Sequence, residues 1–318
     1  MSKANEKEAT RIKEPSALRV FLIRAILGFS CIVLVGLIVG GVLISRIGKL
    51  SGWGSNGQVQ IYSQAQIDKF ITSVLIAVQN QPLSQEGAPA DMVFIAAFNA
   101  FEQELTVVAM SPKTMVEVEG YGQKPLGEAY ALGGPGLLVN TVNQNFDLDL
   151  QNYACTDTHS LAAMIDLLGG IKTRLTRGEA DYINNALNEN VKAGQASLSG
   201  TQSMVHAMDA ISGSAPFGDV NRSLELIHSA IFGMRKTATK EAMLPLLSLV
   251  FSNINTNLDF ATLNDLGYEI LKAEQMEYSS LLLPSSGTWE AAGENGEEIH
   301  ADIPKNAALL QETLYNAN

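Results

Sequence analysis

The stretch MVFIAAFNAFEQELTVVAM, residues 92–110, decides the fold class. It contains two short apolar runs, Met92 to Phe98 and Leu105 to Met110, parted by a polar interval. Continuous runs of that length, rich in β-branched and aromatic side chains, read as buried strands. Val74 to Val78, upstream, has the same character, and Val116 to Val118 reads as an extension of the third strand into a hairpin. Downstream the pattern alternates. A helix is expected from near Gly136, a strand over Tyr153 to Thr156, and a helix over His159 to Leu168 with Leu161, Met164, Ile165 and Leu168 on one face. Gly169-Gly170 stops that helix, and Ile171 to Leu175 reads as another strand. Helical spacing returns over Gly178 to Leu187, Thr201 to Asp209, Asn221 to Met234, Lys240 to Phe251 and Ala261 to Ala273. Tyr278 to Leu283 reads as a late strand, and Pro304 to Tyr315, with proline at its start, as a closing helix. Strands mixed with helices in this way predict a single α/β domain built on a layered sheet.

The first residues predict a different environment. Ala25 to Ser45 contains no charged side chain and is mostly Ile, Leu, Val and Gly. A helix of that length spans roughly 31 Å at ~1.5 Å per residue, enough for the hydrocarbon core of a bilayer. The run is longer than a signal-peptide core and no Ala-x-Ala cleavage site follows it, so it reads as an uncleaved signal anchor. Lys3, Lys7, Arg11, Lys13, Arg19 and Arg24 precede it, whereas Arg46 and Lys49 alone follow closely. The positive-inside rule then puts the N-terminus in the cytoplasm and the rest outside. The expected organisation is a cytoplasmic tail over 1–24, a transmembrane anchor over 25–45, a Gly- and Ser-containing linker and lead-in over 46–70, and an extracytoplasmic domain over 71–318.

The 318 residues carry a formal net charge of −12. The tail's charge is +3, which leaves −15 on the remainder. An acidic domain argues against nonspecific binding to nucleic acid or anionic lipid, and an anionic ligand needs a local basic pocket. The two cysteines, Cys31 and Cys155, fall on the anchor and on the domain, so no disulfide joins them within one chain. Cys155 and His159 read as a buried thiol and a surface imidazole. There is no P-loop, GxSxG elbow, HExxH or EF-hand loop. His159, His206, His228 and His300 are scattered, and His228 reads as a packing residue. Gly133-Gly134-Pro135-Gly136 reads as a turn before a helix rather than a phosphate cradle.

Several segments, taken in order, carry more information. They are Asn80 at the end of the first strand, Ala90-Asp91-Met92, Ser111-Pro112-Lys113-Thr114, Glu119-Gly120-Tyr121-Gly122 and Glu128-Ala129-Tyr130-Ala131-Leu132-Gly133-Gly134. Asp166-Leu167-Leu168-Gly169-Gly170-Ile171, Leu198-Ser199-Gly200-Thr201-Gln202, Gly218-Asp219-Val220-Asn221-Arg222 and Pro304-Lys305-Asn306 follow. This series resembles the LytR–CpsA–Psr family of bacterial envelope proteins from about Ile71 to the C-terminus. The resemblance implies an α-β-α layered sandwich with a central mixed sheet. It implies a bacterial membrane location and a role in attaching polyprenyl-pyrophosphate-linked glycopolymers, such as teichoic acid or capsular polysaccharide, to peptidoglycan. It also implies cations about the phosphoryl group, from arginines and a Mg2+ ion held by aspartates, and a long apolar pocket for the lipid.

Carried over residue by residue, the resemblance implies Arg222, Lys113 and Asp219 as catalytic, Lys124 and Tyr130 as substrate-binding, and Asp91 and Asn80 as metal ligands. The departures fall on the charged groups. Asn80, or its neighbour Gln79, stands where the family has aspartate, and an amide is a weaker ligand for a hard cation. Pro112-Lys113-Thr114 replaces an Arg-Asp pair, and lysine lacks the planar two-pronged phosphate contact. Met208 to Ala210 holds no arginine, and Glu225-Leu226 replaces Arg-Gln. Three readings stay open: an active phosphotransferase, a catalytically impaired relative that binds a lipid-linked glycan or regulates an active paralogue, and an envelope scaffold without a small ligand. Each retained residue also has a local explanation: Asp91 beside a turn, Asp219 as a helix cap, and Arg222 paired with Glu225 on its own helix.

Overall fold

The structure, a computed structural model, describes residue 61 and residues 71–208, 218–237, 253–258, 276–293 and 298–315. All of these lie in the compact unit Gln58–Asn318. In chain order the first elements are β1 (Ile71–Gln79), β2 (Met92–Asn99), β3 (Glu104–Met110), β4 (Met115–Val118), β5 (Gly122–Pro125) and α1 (Leu126–Phe146). Then come β6 (Asn152–Asp157), α2 (Thr158–Leu167), β7 (Ile171–Leu175), α3 (Arg177–Leu187), β8 (Gly194–Leu198), α4 (Gly200–Met208) and α5 (Gly218–Thr237). The last are β9 (Asn255–Thr256), β10 (Glu277–Leu283), β11 (Trp289–Ala292), β12 (Glu298–Ala301) and α6 (Ile303–Tyr315). The expected anchor at 25–45 and the expected helices at 240–251 and 261–273 lie outside the described residues. Among the described residues no helix is long and apolar enough to cross a membrane.

Six strands form one sheet in the order β10-β3-β2-β1-β6-β9. β2 is antiparallel to β1 and β3, with Ile76 opposite Phe94 and Ile95 opposite Val108. β6 is parallel to β1, and β10 is parallel to β3, so the sheet is mixed. Because side chains alternate along a strand, β2 feeds two cores. Val93, Ile95 and Ala97 join Leu126, Tyr130, Leu138 and Phe146 of α1 and Leu310 of α6. Met92, Phe94 and Phe98 join Leu161 and Ile165 of α2, Met204 of α4 and Leu224 of α5. Helices therefore cover both faces. That explains why the central strands are nearly unbroken apolar runs: each large side chain removed from water contributes about 1.5–3 kcal/mol.

Two expectations are corrected. Val116 to Val118 lies in β4, which pairs with β5 and not with β3, closing through Glu119-Gly120-Tyr121. The helix expected from near Gly136 begins at Leu126. Gly133 and Gly134 break its geometry, Gly134 at φ 67 and ψ −162, and the helix resumes through Pro135. That backbone region is open to glycine alone, and Pro135 brings no N–H to an intrahelical bond. The glycine-proline run is thus a kink inside one long helix.

Candidate functional site

The strand directions place the carboxyl ends of β1, β3, β6 and β10 at one edge of the sheet, with the amino end of β2 among them. In open α/β sheets ligands bind beyond the carboxyl ends of the strands. At this edge the chain leaves β1 at Asn80 and enters β2 at Asp91. Asn80 donates its backbone N–H to Asp91 Oδ2 at 2.6 Å, and its side-chain Oδ1 accepts the Thr158 hydroxyl at 3.2 Å. Asp91 is open to solvent on one side. The protein packed around it raises its carboxyl above the ordinary carboxylate range, against the lowering effect of the Asn80 N–H.

Lys113 is set by backbone bonds on both sides. The Pro112 carbonyl accepts from Gly127 N at 2.9 Å, the Lys113 carbonyl from Ile299 N at 3.1 Å, and the Ser111 carbonyl from Thr114 N at 3.1 Å. A Cβ on Gly127 would come within 2.3 Å of the Ala90 carbonyl oxygen, so glycine is what lets the start of α1 press against the residues leading into Asp91. From this turn Lys113 Nζ reaches Asp219 Oδ2 at 3.6 Å. Asp219 occupies the first turn of α5 and its Oδ1 accepts Val220 N at 2.9 Å. Asp91, Pro112, Met208, Asp219 and Ser223 line a shallow groove with a cavity of about 20 Å³, room for about one water.

The structure thus gathers Asp91, Asp219 and Lys113, with Asn80 joined through its backbone. Arg222 turns elsewhere. It is buried, its Nε donates to the His206 carbonyl at 2.5 Å, and it lines a separate cavity of about 130 Å³ with Lys172, His206, Glu225 and His228. Glu225, on the same helix and lining the same cavity as Arg222, accepts the Asn221 amide through Oε1 at 3.2 Å. Lys124, on β5, lies 3.9 Å from Glu128, both half exposed. Tyr130 is buried in the core beneath α1, its hydroxyl facing the Cys155 thiol, and burial drives both groups' acidity down. Neither Lys124 nor Tyr130 lines the groove.

The donors at the groove do not fit a resident Mg2+. That ion demands near-octahedral oxygen ligands and gives up its waters reluctantly. Asp91 Oδ2 already accepts the Asn80 N–H, Asn80 offers an amide in place of a carboxylate, and Asp219 faces an ammonium. Asp157, at the end of β6, accepts Ser160 N at 2.7 Å through Oδ1 and Leu83 N at 3.3 Å through Oδ2. Among the described residues no three His, Cys, Asp or Glu side chains are placed to share an ion.

Sequence reasoning missed the His206 and Glu179 pair. Glu179 closes the capping box of α3, accepting the Thr176 N–H and hydroxyl at 2.8 Å. Its other oxygen lies 3.3 Å from His206 Nε2, at ion-pair distance but without hydrogen-bond alignment. Thr176-x-x-Glu179 is a legible capping signature, but nothing in the sequence puts His206 beside it. His228, as expected, packs: its ring lies 4.5 Å from Phe232 and 4.4 Å from Tyr278.

The Asp166–Ile171 and Leu198–Gln202 segments meet in a close backbone approach. Asp166 Oδ1 accepts Gly200 N at 2.7 Å, and a Cβ on Gly200 would meet the Ala162 carbonyl oxygen at 1.9 Å. Known proteins share this framework. The Regulatory protein MsrR of Staphylococcus aureus (strain COL) is 22% identical over 218 residues, covering 68% of this chain and 65% of that protein. The polyisoprenyl-teichoic acid--peptidoglycan teichoic acid transferase TagU of Enterococcus faecalis is 24% identical over 179 residues, 55% of this chain and 57% of that protein. The chain therefore spans less than two thirds of the length of these relatives. The solved structure described as LytR-CPS2A-psr family protein YwtF (TagT) with bound octaprenyl pyrophosphate lipid superposes with a TM-score of 0.61 at 17% identity, over 82% of this chain and 98% of that one. The LytR_cpsA_psr family model matches residues 58–311, and this chain belongs to that family.

Proposed function

We propose that this protein, anchored in a bacterial membrane by residues 25–45, acts outside the cell on a polyprenyl-pyrophosphate-linked glycopolymer and passes it to peptidoglycan. The observation that carries this reading is the meeting of Lys113, Asp219 and Asp91 at the carboxyl edge of the sheet, in a family whose TagU relative is named a teichoic acid transferase. A solved structure of the same fold holds octaprenyl pyrophosphate. In the reaction a sugar hydroxyl of peptidoglycan attacks the phosphorus that bears the glycan. The bridging P–O bond breaks, polyprenyl phosphate leaves, and the hydroxyl proton passes to a carboxylate or to water. Lys113 Nζ is suited to draw in the phosphoryl oxygens. Its flexible stem carries a compact charge, and the backbone bonds on both sides of its turn fix where that stem begins. Asp91 is the carboxylate at the rim able to take the proton.

A second reading, binding without turnover, draws on Arg222. Its guanidinium is tied to the His206 carbonyl and lines the other cavity, whereas Lys113, 3.6 Å from Asp219, is a cation recorded beside a carboxylate of the groove. The test incubates the full chain in detergent micelles with polyprenyl-pyrophosphate-linked glycopolymer and peptidoglycan and follows released polyprenyl phosphate. Turnover that falls about 10²-fold in Lys113→Met supports the first reading. Lipid retained by mass spectrometry without release supports the second. Neither release nor retention ends both.

A further inference from the structure

The groove between β2 and α5 poses a charge problem. Two carboxylates, Asp91 and Asp219, line one shallow depression, and a phosphoryl ligand would bring still more negative charge. A resident divalent cation is one physical solution. The chain offers another: Lys113 Nζ lies 3.6 Å from Asp219 Oδ2, on a turn tied to α1 through Gly127 and to β12 through Ile299. We propose that Lys113 supplies the groove's positive charge in place of a divalent cation, so that Asp91 and Asp219 hold no resident metal and a phosphoryl group is met directly by the ammonium. This rests on reading the groove as the phosphoryl site, but the metal question stands without it.

Three features point the same way. One oxygen of Asp91 is oriented by the Asn80 N–H at 2.6 Å, and that bond already stabilises part of its negative charge without a cation. The neighbouring side chain is an amide whose oxygen accepts the Thr158 hydroxyl. Asp157, the next carboxylate along the sheet edge, is committed to the start of α2 and to the Leu83 N–H. An ammonium also repels an incoming dication with about twice the energy by which it attracts a carboxylate at the same distance. The cavity holds about 20 Å³, whereas Mg2+ usually keeps several of its waters.

The test uses the full chain in micelles, without lipid, and Mn2+ as an electron-paramagnetic probe, since Mn2+ takes the same hard oxygen ligands as Mg2+. In the wild type, Asp91→Asn and Asp219→Asn should leave the free Mn2+ signal unchanged. Lys113→Asp, which exchanges the ammonium for a carboxylate, should bring a loss of free Mn2+ signal that the wild type does not show. A wild-type Mn2+ site removed by Asp91→Asn or Asp219→Asn overturns the proposal, and so does a folded Lys113→Asp that binds no more tightly than wild type. If Lys113→Asp does not fold, the wild type and the two Asn variants decide alone. Lipid retention is read separately, so failure here leaves the proposed function standing, and the converse holds.

Discussion

Asn80 donates its backbone N–H to Asp91 Oδ2 at 2.6 Å, so the last residue before the bend out of β1 is tied to the first residue before β2 across 11 positions of chain. The bond favours the ionised carboxyl, yet surrounding protein outweighs it and raises the Asp91 pKa. A carboxyl raised on folding binds its proton more tightly in the native state, so stability falls as pH climbs from the ordinary value of 3.8 through the raised one. Asp91→Asn keeps an acceptor for Asn80 and removes this loss. At neutral pH it should match or exceed wild-type stability by up to about 1 kcal/mol, the site being half open to solvent. Below the ordinary carboxylate range the difference should vanish. Urea denaturation at two pH values checks this, and an Asn variant that is markedly less stable at neutral pH refutes it.

Gly127 is the joint on which the groove's geometry rests. A Cβ there would stand 2.3 Å from the Ala90 carbonyl oxygen and 3.1 Å from Pro112 Cβ. The first contact is with backbone, which cannot swing aside as a side chain can. Gly127→Ala should cost about 1–3 kcal/mol as an overpacking change, and should also displace both Asp91 and Lys113. Chemical denaturation measures the first effect. A variant as stable as wild type would show that α1 is not pressed against this edge.

How much of this was legible follows from particular residues. Val74 to Val78, Met92 to Phe98 and Leu105 to Met110 are buried on both faces, so their apolar runs announced β1, β2 and β3 within a few residues. β5 and β8 carry Gly-Gln-Lys-Pro and Gly-Gln-Ala-Ser-Leu. They pair in two-stranded ribbons off the main sheet, where Leu198 is the one large apolar side chain they bury, and runs this short and polar left no signal. The start of α1 was hidden because glycine and proline mark a helix end far more often than a kink. At the site, Asp91, Asp219 and Lys113 could be named from their motifs. The facing of Arg222 could not, because residues 219 and 222 lie on one helix and its rotation against α4 is set by tertiary contacts such as Ser223 Oγ to the Ala207 carbonyl at 3.2 Å.

His206 gives a second pH signature. Burial lowers its pKa below 6.5, outweighing the raising effect of Glu179, and Arg222 adds to the lowering. Glu179 is itself burdened by desolvation but held low overall by the Thr176 bonds and by His206. A base depressed on folding binds its proton less readily in the native state. Stability is then full above 6.5 and is lost as pH falls from there toward the lowered value. His206→Gln should flatten that part of the stability-pH curve. Thermal unfolding from neutral to mildly acid pH reads it, and a slope unchanged by the substitution would place the titrating group elsewhere.

Cys155 offers a probe of the core between the sheet and α1. Its side chain is fully enclosed, and its thiol is pushed up to about 12 by burial, against hydrogen bonds from Tyr130 and the Ala77 backbone. A thiol that is neither exposed nor ionised at neutral pH reacts only when the structure opens. In a Cys31→Ser background, which leaves Cys155 as the single thiol, modification by an aromatic disulfide reagent should be slower than in the urea-unfolded chain by at least about 10³-fold, the low end of native folding constants. When closing outpaces labelling, the rate follows the population of the open state, so each 1.4 kcal/mol lost raises it about tenfold. Adding Gly127→Ala to this background should therefore accelerate labelling in step with the stability it removes. Fast labelling of the native chain would mean that this half of the core opens by itself, and the coupling between Gly127 and the sheet would be lost with it.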